Sequence, residues 1–409
     1  MRILHTSDWH LGHQFHGISR DDEYAGFLHW LTKIIKERGV DALFIAGDVF
    51  DSPNPPARVL RLWYQFLAGL RQSLPQLQVV AIGGNHDSPA RLETTNPILQ
   101  DTGIHIIGGV RFRDDGSPDV ADMTVPLNDG KGRLAAWCMA MPYIRVADLP
   151  LTSGESQGDR LLKGARSLYE ELHHFARSQR QKGQALVAMG HCLMAGGILS
   201  EWSERKIFGG NQNAFPADFF PEDLAYTALG HLHKAQLVAG RPNLRYSGSP
   251  IPLSLAERDY RHQVCLVTLE GENMGDLEIL PVPRMIAIAP PIAGTLDEVA
   301  QAIEELPGQV DDETLPRPFL EIKVTLEQPK PNLRLQVEQW LEGKQARLLK
   351  LTVAYSGHGQ PLRSGKPSLK ELRVEDVFSQ CYKRQFDGEP SSELEACFNQ
   401  LLEEARSGS

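Results

Sequence analysis

Along the first half of the chain, short apolar runs alternate with longer stretches whose apolar residues recur every three or four positions. The runs at 2–6, 42–46, 79–82, 185–189 and 226–229 read as strands. Between them, Tyr24, Phe27, Leu28, Leu31, Ile34 and Ile35 share one helical face, as do Val59, Leu62, Trp63, Phe66 and Leu70. A third helix is predicted over 160–182, with Leu161, Ala165, Leu168, Leu172 and Phe175 inward. Strands alternating with helices predict an α/β fold.

After Tyr246 the pattern becomes strand-rich, at 262–269 and 277–280, and proline density rises over 281–291, which marks a boundary. Beyond it, 295–306 reads as a helix capped by Thr295, 319–326 as a strand, 333–341 as a helix and 347–354 as a strand. This predicts a small α+β unit. A stretch rich in Gly, Ser and Pro (356–368) leads to two short amphipathic helices. One is lined by Val374, Val377, Phe378, Cys381 and Tyr382, the other by Leu394, Cys397, Phe398, Leu401 and Leu402. Two short helices bury little by themselves, so they either pack on their own domain or dock on a partner.

Five polar signatures each follow a strand-like run: Asp8-Trp9-His10, Gly47-Asp48, Gly84-Asn85-His86-Asp87, Gly190-His191 and Gly230-His231-Leu232-His233. In an open α/β sheet ligands collect beyond the carboxyl ends of the strands, so clusters at five such ends converge. Asp8, His10, Asp48, Asn85, His191, His231 and His233 offer oxygen and imidazole nitrogen without sulfur, a set suited to Mn²⁺, Fe²⁺ or Zn²⁺. A single ion would not use all seven. Two ions sharing a carboxylate would, with Asp48 as the natural bridge. One Asp-x-His carries little information; all five signatures in this order form a specific pattern.

Composition narrows the partners. A net charge of −10 excludes nucleic-acid binding through bulk basicity, so any such contact needs a local basic patch, bound cations or a partner. The five cysteines are scattered without a Cys-x-x-Cys pair, which argues against a disulfide framework or a thiolate zinc site. No run of about 18 apolar residues occurs, and the first residues enter a strand-like segment directly, so a cytoplasmic location without membrane association is expected.

The fuller strings are HTSDWHLG from His5, AGDVFDSPNPP from Ala46, GNHDSPARL from Gly84, GHLHKAQ from Gly230 and YSGSPIPLSLAE from Tyr246. Together they resemble the calcineurin-like metallophosphoesterase superfamily, and within it a bacterial DNA-nuclease branch. The resemblance implies a sandwich of mixed β-sheets flanked by helices over 1–280, an α+β capping domain over 281–356, and a linker with C-terminal helices for partner binding over 357–409. It implies one ion on Asp8, His10, Asp48 and His233, a second on Asp48, Asn85, His191 and His231, and Mn²⁺ as the metal. His86 would donate a proton to the leaving oxygen, and Asp87 would orient His86. The implied activity is two-metal hydrolysis of DNA phosphodiesters at double-stranded ends and hairpins in repair and recombination. The implied partner is an SMC-like ATPase with a coiled coil. A homodimer and nucleoid association are family expectations too. The chain has no GxxxxGK[ST] loop, since Gly365-Lys366 precedes Pro367, so ATP handling lies elsewhere.

Rival readings are a cyclic-nucleotide hydrolase or protein phosphatase on the same scaffold, and a DNA-end scaffold with a vestigial site. Some relatives carry a histidine where this chain has Asp51, so no role transfers to that residue. Arg20, Arg58, Arg61 and Arg91 are candidates for phosphate contacts, and His13 and His16 for substrate contacts.

Overall fold

A strand buried on both faces shows no hydrophobic alternation in sequence, yet its side chains still point alternately to two different cores. The computed structural model describes residues 1–99, 101–149, 157–198, 214–310 and 316–356, with Phe378, Tyr382, Leu394 and Phe398. Its elements begin with β1 (Arg2–Thr6), the hairpin β2 (Gln14–Phe15) and β3 (Ile18–Ser19), α1 (Asp21–Arg38), β4 (Ala42–Ala46), α2 (Ala57–Ser73) and β5 (Gln78–Ile82). Short turns of helix α3 (Pro89–Leu92) and α4 (Asn96–Leu99) lead to β6 (Ile104–Ile107). Then come β7 (Thr124–Asn128), β8 (Leu134–Ala140), α5 (Gln157–Gln179), β9 (Ala185–His191), β10 (Tyr226–Gly230), β11 (Gln236–Val238), β12 (Arg241–Tyr246), β13 (Gln263–Glu270) and β14 (Asn273–Pro281).

Two six-stranded sheets result, with orders β14-β13-β1-β4-β5-β6 and β11-β12-β10-β9-β8-β7. Strands β1, β4, β5 and β6 are mutually parallel, as are β8, β9, β10 and β12. Strands β13 and β14 join the first sheet antiparallel, and β7 and β11 edge the second in the same way. Ile3, Ala42, Phe44, Ala46, Val80 and Ile82 face the second sheet and share its core. Their neighbours Leu4, Leu43, Ile45, Val79 and Ala81 pack on the apolar faces of α1 and α2. Helix α5 covers the other side of the second sheet with Ala165, Leu168, Leu172 and Ala176. The expected sandwich of mixed sheets flanked by helices is therefore what the chain forms.

The segment after the prolines builds β15 (Ile292–Thr295), α6 (Leu296–Glu304), β16 (Phe319–Leu326), α7 (Leu333–Trp340) and β17 (Arg347–Tyr355), with sheet order β15-β16-β17. Thr295 caps α6 as expected. Its hydroxyl accepts from Glu298 N at 3.4 Å, while Glu298 Oε2 accepts from Thr295 N at 2.7 Å, a reciprocal capping box. The chain divides into two compact units, 1–324 with 331–353, and 325–330 with 354–409. In the second, the rings of Phe378 and Phe398 stack with centroids 4.0 Å apart. The remainder of the two expected C-terminal helices lies outside the described residues. Cys138, Cys192 and Cys265 are buried free thiols, and Cys381 and Cys397 fall outside the described residues. No described helix is long and apolar enough to cross a membrane.

The sheets approach closely at their carboxyl ends. A Cβ on Gly230 would collide with the backbone carbonyl of Ala46, an atom with no freedom to move aside. Gly69, in contrast, lies exposed in mid-α2 with open space around it. Gly230→Ala should lose about 2 kcal/mol or more through overpacking. Gly69→Ala should gain about 0.5–1 kcal/mol, because a helical glycine is entropically costly. Thermal melts of the two variants should move in opposite directions. A Gly230→Ala protein as stable as the parent would show that the two sheets are not held this closely.

Candidate metal centre

All parallel strands of a sheet end on the same side, and the carboxyl ends of β1, β4, β5, β9 and β10, or the turns just after them, carry the signatures. The loops after β1 and β4 stay hydrogen-bonded beyond their strands: Asp8 N donates to Gly47 O, His10 N to Asp48 O and Leu11 N to Val49 O, at 2.9–3.0 Å. This extension places Asp8 and His10 beside Asp48. Four candidate ligands adopt left-handed backbone, with φ of 52° at Asp8, 48° at His10, 48° at Asp48 and 107° at His231. Non-glycine residues there are strained by about 1–3 kcal/mol each, and such conformations persist only where surrounding packing over-determines them.

The structure brings the donors together. Single ligand atoms of Asp8, His10 and His233 lie within 4.8 Å of one another, as do those of Asp8, Asp48 and His191, and those of His10, Asp48 and His86. Asp48 Oδ2 lies 3.5 Å from His10 Nε2 and 3.3 Å from His191 Nε2. Asn85 Oδ1 is 3.0 Å from both His191 Nε2 and His231 Nδ1. Asp8, His10, Asp48, His191, His231 and His233 are buried, whereas Asn85 and His86 are half-buried. The open side of the cluster is therefore the side that His86 occupies.

Four of the imidazoles are fixed through Nδ1 on an acceptor, which leaves Nε2 as the free donor atom. His191 Nδ1 donates to Ala46 O at 2.9 Å, His233 Nδ1 to Glu257 at 3.1 Å, and His86 Nδ1 to Asp51 O at 2.9 Å. His10 Nδ1 faces Asp51 Oδ1 at 3.4 Å. His10 Nε2 is then buried without a hydrogen-bond partner among the described residues. Lone pairs of Asn85, Asp48 and the imidazoles otherwise face one another. A divalent cation resolves both problems, so the residues present fit a metal.

Electrostatics agrees. Burial would raise Asp48, yet the neighbouring His191 holds it well below the carboxylate range. Burial would lower His191, but Asp48 beside it raises it to about 9. His233 is opposed by burial in the same way and is raised to about 9 by its bond to Glu257. Burial, followed by the charge of His191, drives His231 down to about 3.

Several residues do something other than expected. Asp87 does not orient His86. Its carboxylate accepts from Val49 N, Phe50 N and Gly84 N at 2.9–3.1 Å, so it staples the β4 loop to the β5 loop. Adjacent side chains point apart, and the ring of His86 is held instead by the Asp51 carbonyl. Arg20 is no phosphate contact, because it is buried in a two-pronged pair with Glu23 at 2.7 and 2.8 Å. Arg58 pairs with Asp21 and Arg91 bonds Asn54, both at the surface. His13 is tied to Asp51 at 3.1 Å and to Leu253 O at 3.0 Å.

Sequence reasoning missed four supports. Asp51 meets two histidine rings, and Glu257 is a fully buried carboxylate on His233. Ser7 donates to Asp8 at 2.5 Å, and Arg145 braces the 84–87 loop through the carbonyls of Gly84 and Asp87. Asp51 and Glu257 stand inside the quoted strings, which was their only signal.

Comparison with known proteins accords with this geometry. Residues 1–235 match the family described as calcineurin-like phosphoesterase. Residues 282–386 match one described as type 5 capsule protein repressor C-terminal domain. The SbcD subunit of the nuclease SbcCD from Rhodobacter capsulatus is 36% identical over 389 residues, covering 93% of this chain and 94% of the relative. That of Escherichia coli K12 is 32% identical over 388 residues (93% and 92%), and that of Bacillus subtilis 31% over 409 residues (98% and 97%). The chain belongs to the calcineurin-like phosphoesterases and, within them, to the SbcD family of nuclease subunits.

Proposed function

We propose that this protein hydrolyses phosphodiester bonds of DNA with a pair of divalent cations, as the nuclease subunit of an assembly with an SMC-like ATPase, SbcC. The observation that carries the reading is the meeting of oxygen and nitrogen donors around Asp48, with His10 Nε2 buried and without a hydrogen-bond partner among the described residues. Asp8, His10, Asp48 and His233 would hold one cation, and Asp48, Asn85, His191 and His231 the other, with Asp48 shared. The sulfur-free donor set suits Mn²⁺, Fe²⁺ and Zn²⁺ alike, and the family resemblance favours manganese among them. When bound, the pair supplies charge neutralisation on the phosphoryl oxygens and makes a water acidic enough to attack near neutral pH.

The chain's own residues do the rest. Asp51 O accepts from His86 Nδ1–H, so Nε2 is the atom turned to the leaving sugar oxygen on the half-buried side of the cluster, and it would deliver a proton from the imidazolium form of the ring. His86 N donates to Asp48 Oδ1 at 2.8 Å, which fixes the distance between the shared carboxylate and the proton donor. Glu257, Asp51 and Ala46 O keep three imidazoles turned inward, so little reorganisation accompanies substrate binding. Double-stranded ends and hairpins are the expected substrates, and the C-terminal helices of 357–409 the arm that grips the coiled coil of the ATPase. Self-association into a homodimer is part of the same reading.

Three outcomes are expected. His86→Ala should lower kcat about 10²–10⁴-fold while elemental analysis shows unchanged metal content; loss of the metals would mean that His86 is a ligand. Because ligating imidazoles must be neutral and His191 and His233 rest near 9, each carries a proton at pH 7 that a cation displaces. Metal affinity should rise with pH and level off above about 9. Calorimetric heats that do not change with buffer ionisation enthalpy at pH 7 would contradict this proton release. A chain ending at residue 356 should keep manganese-dependent DNA cleavage but fail to co-purify with the ATPase; stoichiometric co-purification would place the contact elsewhere.

A further inference from the structure

Beside the cluster lies a groove of about 760 Å³, walled by loop residues around His13 and Leu253 and by β16 and β17. Its charged and titratable residues are His13, His16, Arg258, Glu321, Lys323 and Lys350. On β16, two-residue periodicity puts Phe319, Glu321 and Lys323 on one face, while Leu320, Ile322 and Val324 are buried on the other. A polar strand face usually meets bulk solvent with its charges dispersed. Here the Glu321 side chain retains only 7% exposure and gathers three permanent cations. Arg258 Nη2 and Lys323 Nζ each lie 3.5 Å from it, and Lys350 Nζ lies 3.7 Å away. One carboxylate cannot neutralise three cations, so two positive charges remain without a second ion-pair partner among the described residues, in a concave site. Arg258 Nε is in addition buried without a hydrogen-bond partner among the described residues. The side chains of Lys323 and Lys350 stay 51% and 42% exposed, so their heads are available to a ligand.

The wall of the groove is tied by hydrogen bonds to the residues that orient the metal centre. His13, in its wall, bonds Asp51, whose carboxylate faces His10. Leu253, also in the wall, bonds His13 through its carbonyl and Glu257 through its amide, and Glu257 holds His233. Cations spread over two strands suit a run of phosphates better than a single small anion. In a chain of net charge −10, such a local surplus is what contact with a polyanion requires.

We propose that this groove is a phosphate-backbone subsite, in which Arg258, Lys323 and Lys350 hold phosphates of the DNA strand flanking the scissile bond and Glu321 sets the spacing of the cations. The proposal rests on the nuclease reading and adds to it where the substrate runs. The test compares the full chain with Lys323→Ala/Lys350→Ala and Lys323→Arg/Lys350→Arg, on a linear duplex oligonucleotide with manganese. Bis(p-nitrophenyl) phosphate, too small to span the distance, serves as the second substrate. For the alanine pair, KM on DNA should rise about 10-fold with kcat within about two-fold. The slope of log affinity against log salt should become shallower by about 1.4–1.8, the sum of two lost phosphate contacts. The arginine pair should retain the parent's KM and slope, and both pairs should still hydrolyse the small ester. Parental KM and slope in the alanine pair would overturn the proposal. So would an arginine pair as impaired as the alanine pair, or an equal loss on the ester. A parent that hydrolyses the ester but neither binds nor cuts DNA would bring down the nuclease reading itself, and the groove with it.

Discussion

A carboxylate buried where two sheets meet must be matched by positive charge or hydrogen-bond donors, and Asp48 imposes that demand on everything around it. It is 2% exposed and held in left-handed backbone at the end of β4. His10 from the β1 loop and His191 from β9 of the opposite sheet converge on its Oδ2, while His86 N occupies Oδ1. The same turn supplies the Ala46 carbonyl that fixes His191 and abuts Gly230. Sheet packing and ligand geometry are thus one constraint. A slip of one sheet against the other would separate the donors and leave Asp48 buried without compensation.

Around that centre a layer of acceptors removes the remaining freedom. Asp51, Glu257 and the carbonyls of Ala46 and Asp51 each take a histidine Nδ1, and Asp87 ties the β4 and β5 loops through three backbone amides. Burial and nearby Asp48 raise Asp87 to about 6, against the three backbone amides, which favour its charged form. The backbone strain at four candidate ligands has a matching origin. Short loops between rigid strand ends leave no other conformation that keeps Asp8, His10, Asp48 and His231 directed inward.

The strands that carry the site were legible because both their faces are buried, and β1 and β4 match the sequence reading residue for residue. The rim of the second sheet was not. Leu134–Ala140 is an unbroken apolar run but nearly half alanine, a residue depleted in strands, while Thr124–Asn128 contains Pro126 and Arg241–Tyr246 is mostly polar, so none carries a strong strand signal. The donors of the site stood out through repeated short signatures. Their supports did not, because the roles of Asp51, Glu257 and Arg145 depend on which loops meet in space. Asp87 was misread for the same reason, with nearness in sequence standing in for nearness in the fold. Arg20 looked like a free cation until its partner one helical turn away, Glu23, closed over it.

The acidic balance of the chain and a polyanionic substrate are reconciled by where the charges lie. The candidate ligands include only two carboxylates, Asp8 and Asp48, so two bound divalent cations would leave the ligand shell with a surplus of about two positive charges, against which Asp51 and Glu257 stand behind His10 and His233. The groove beside it carries a similar surplus from three cations around Glu321. At physiological ionic strength the screening length is about 8 Å. Surface carboxylates farther away than that contribute little to what a phosphate experiences at either place. Within the range that matters, the groove is a short positive track beside the metal centre in an otherwise acidic molecule. Such a track favours one register of the strand, and the acidic surroundings disfavour the others. On this argument, net charge misleads about substrate because it averages over distances that screening has already cut off.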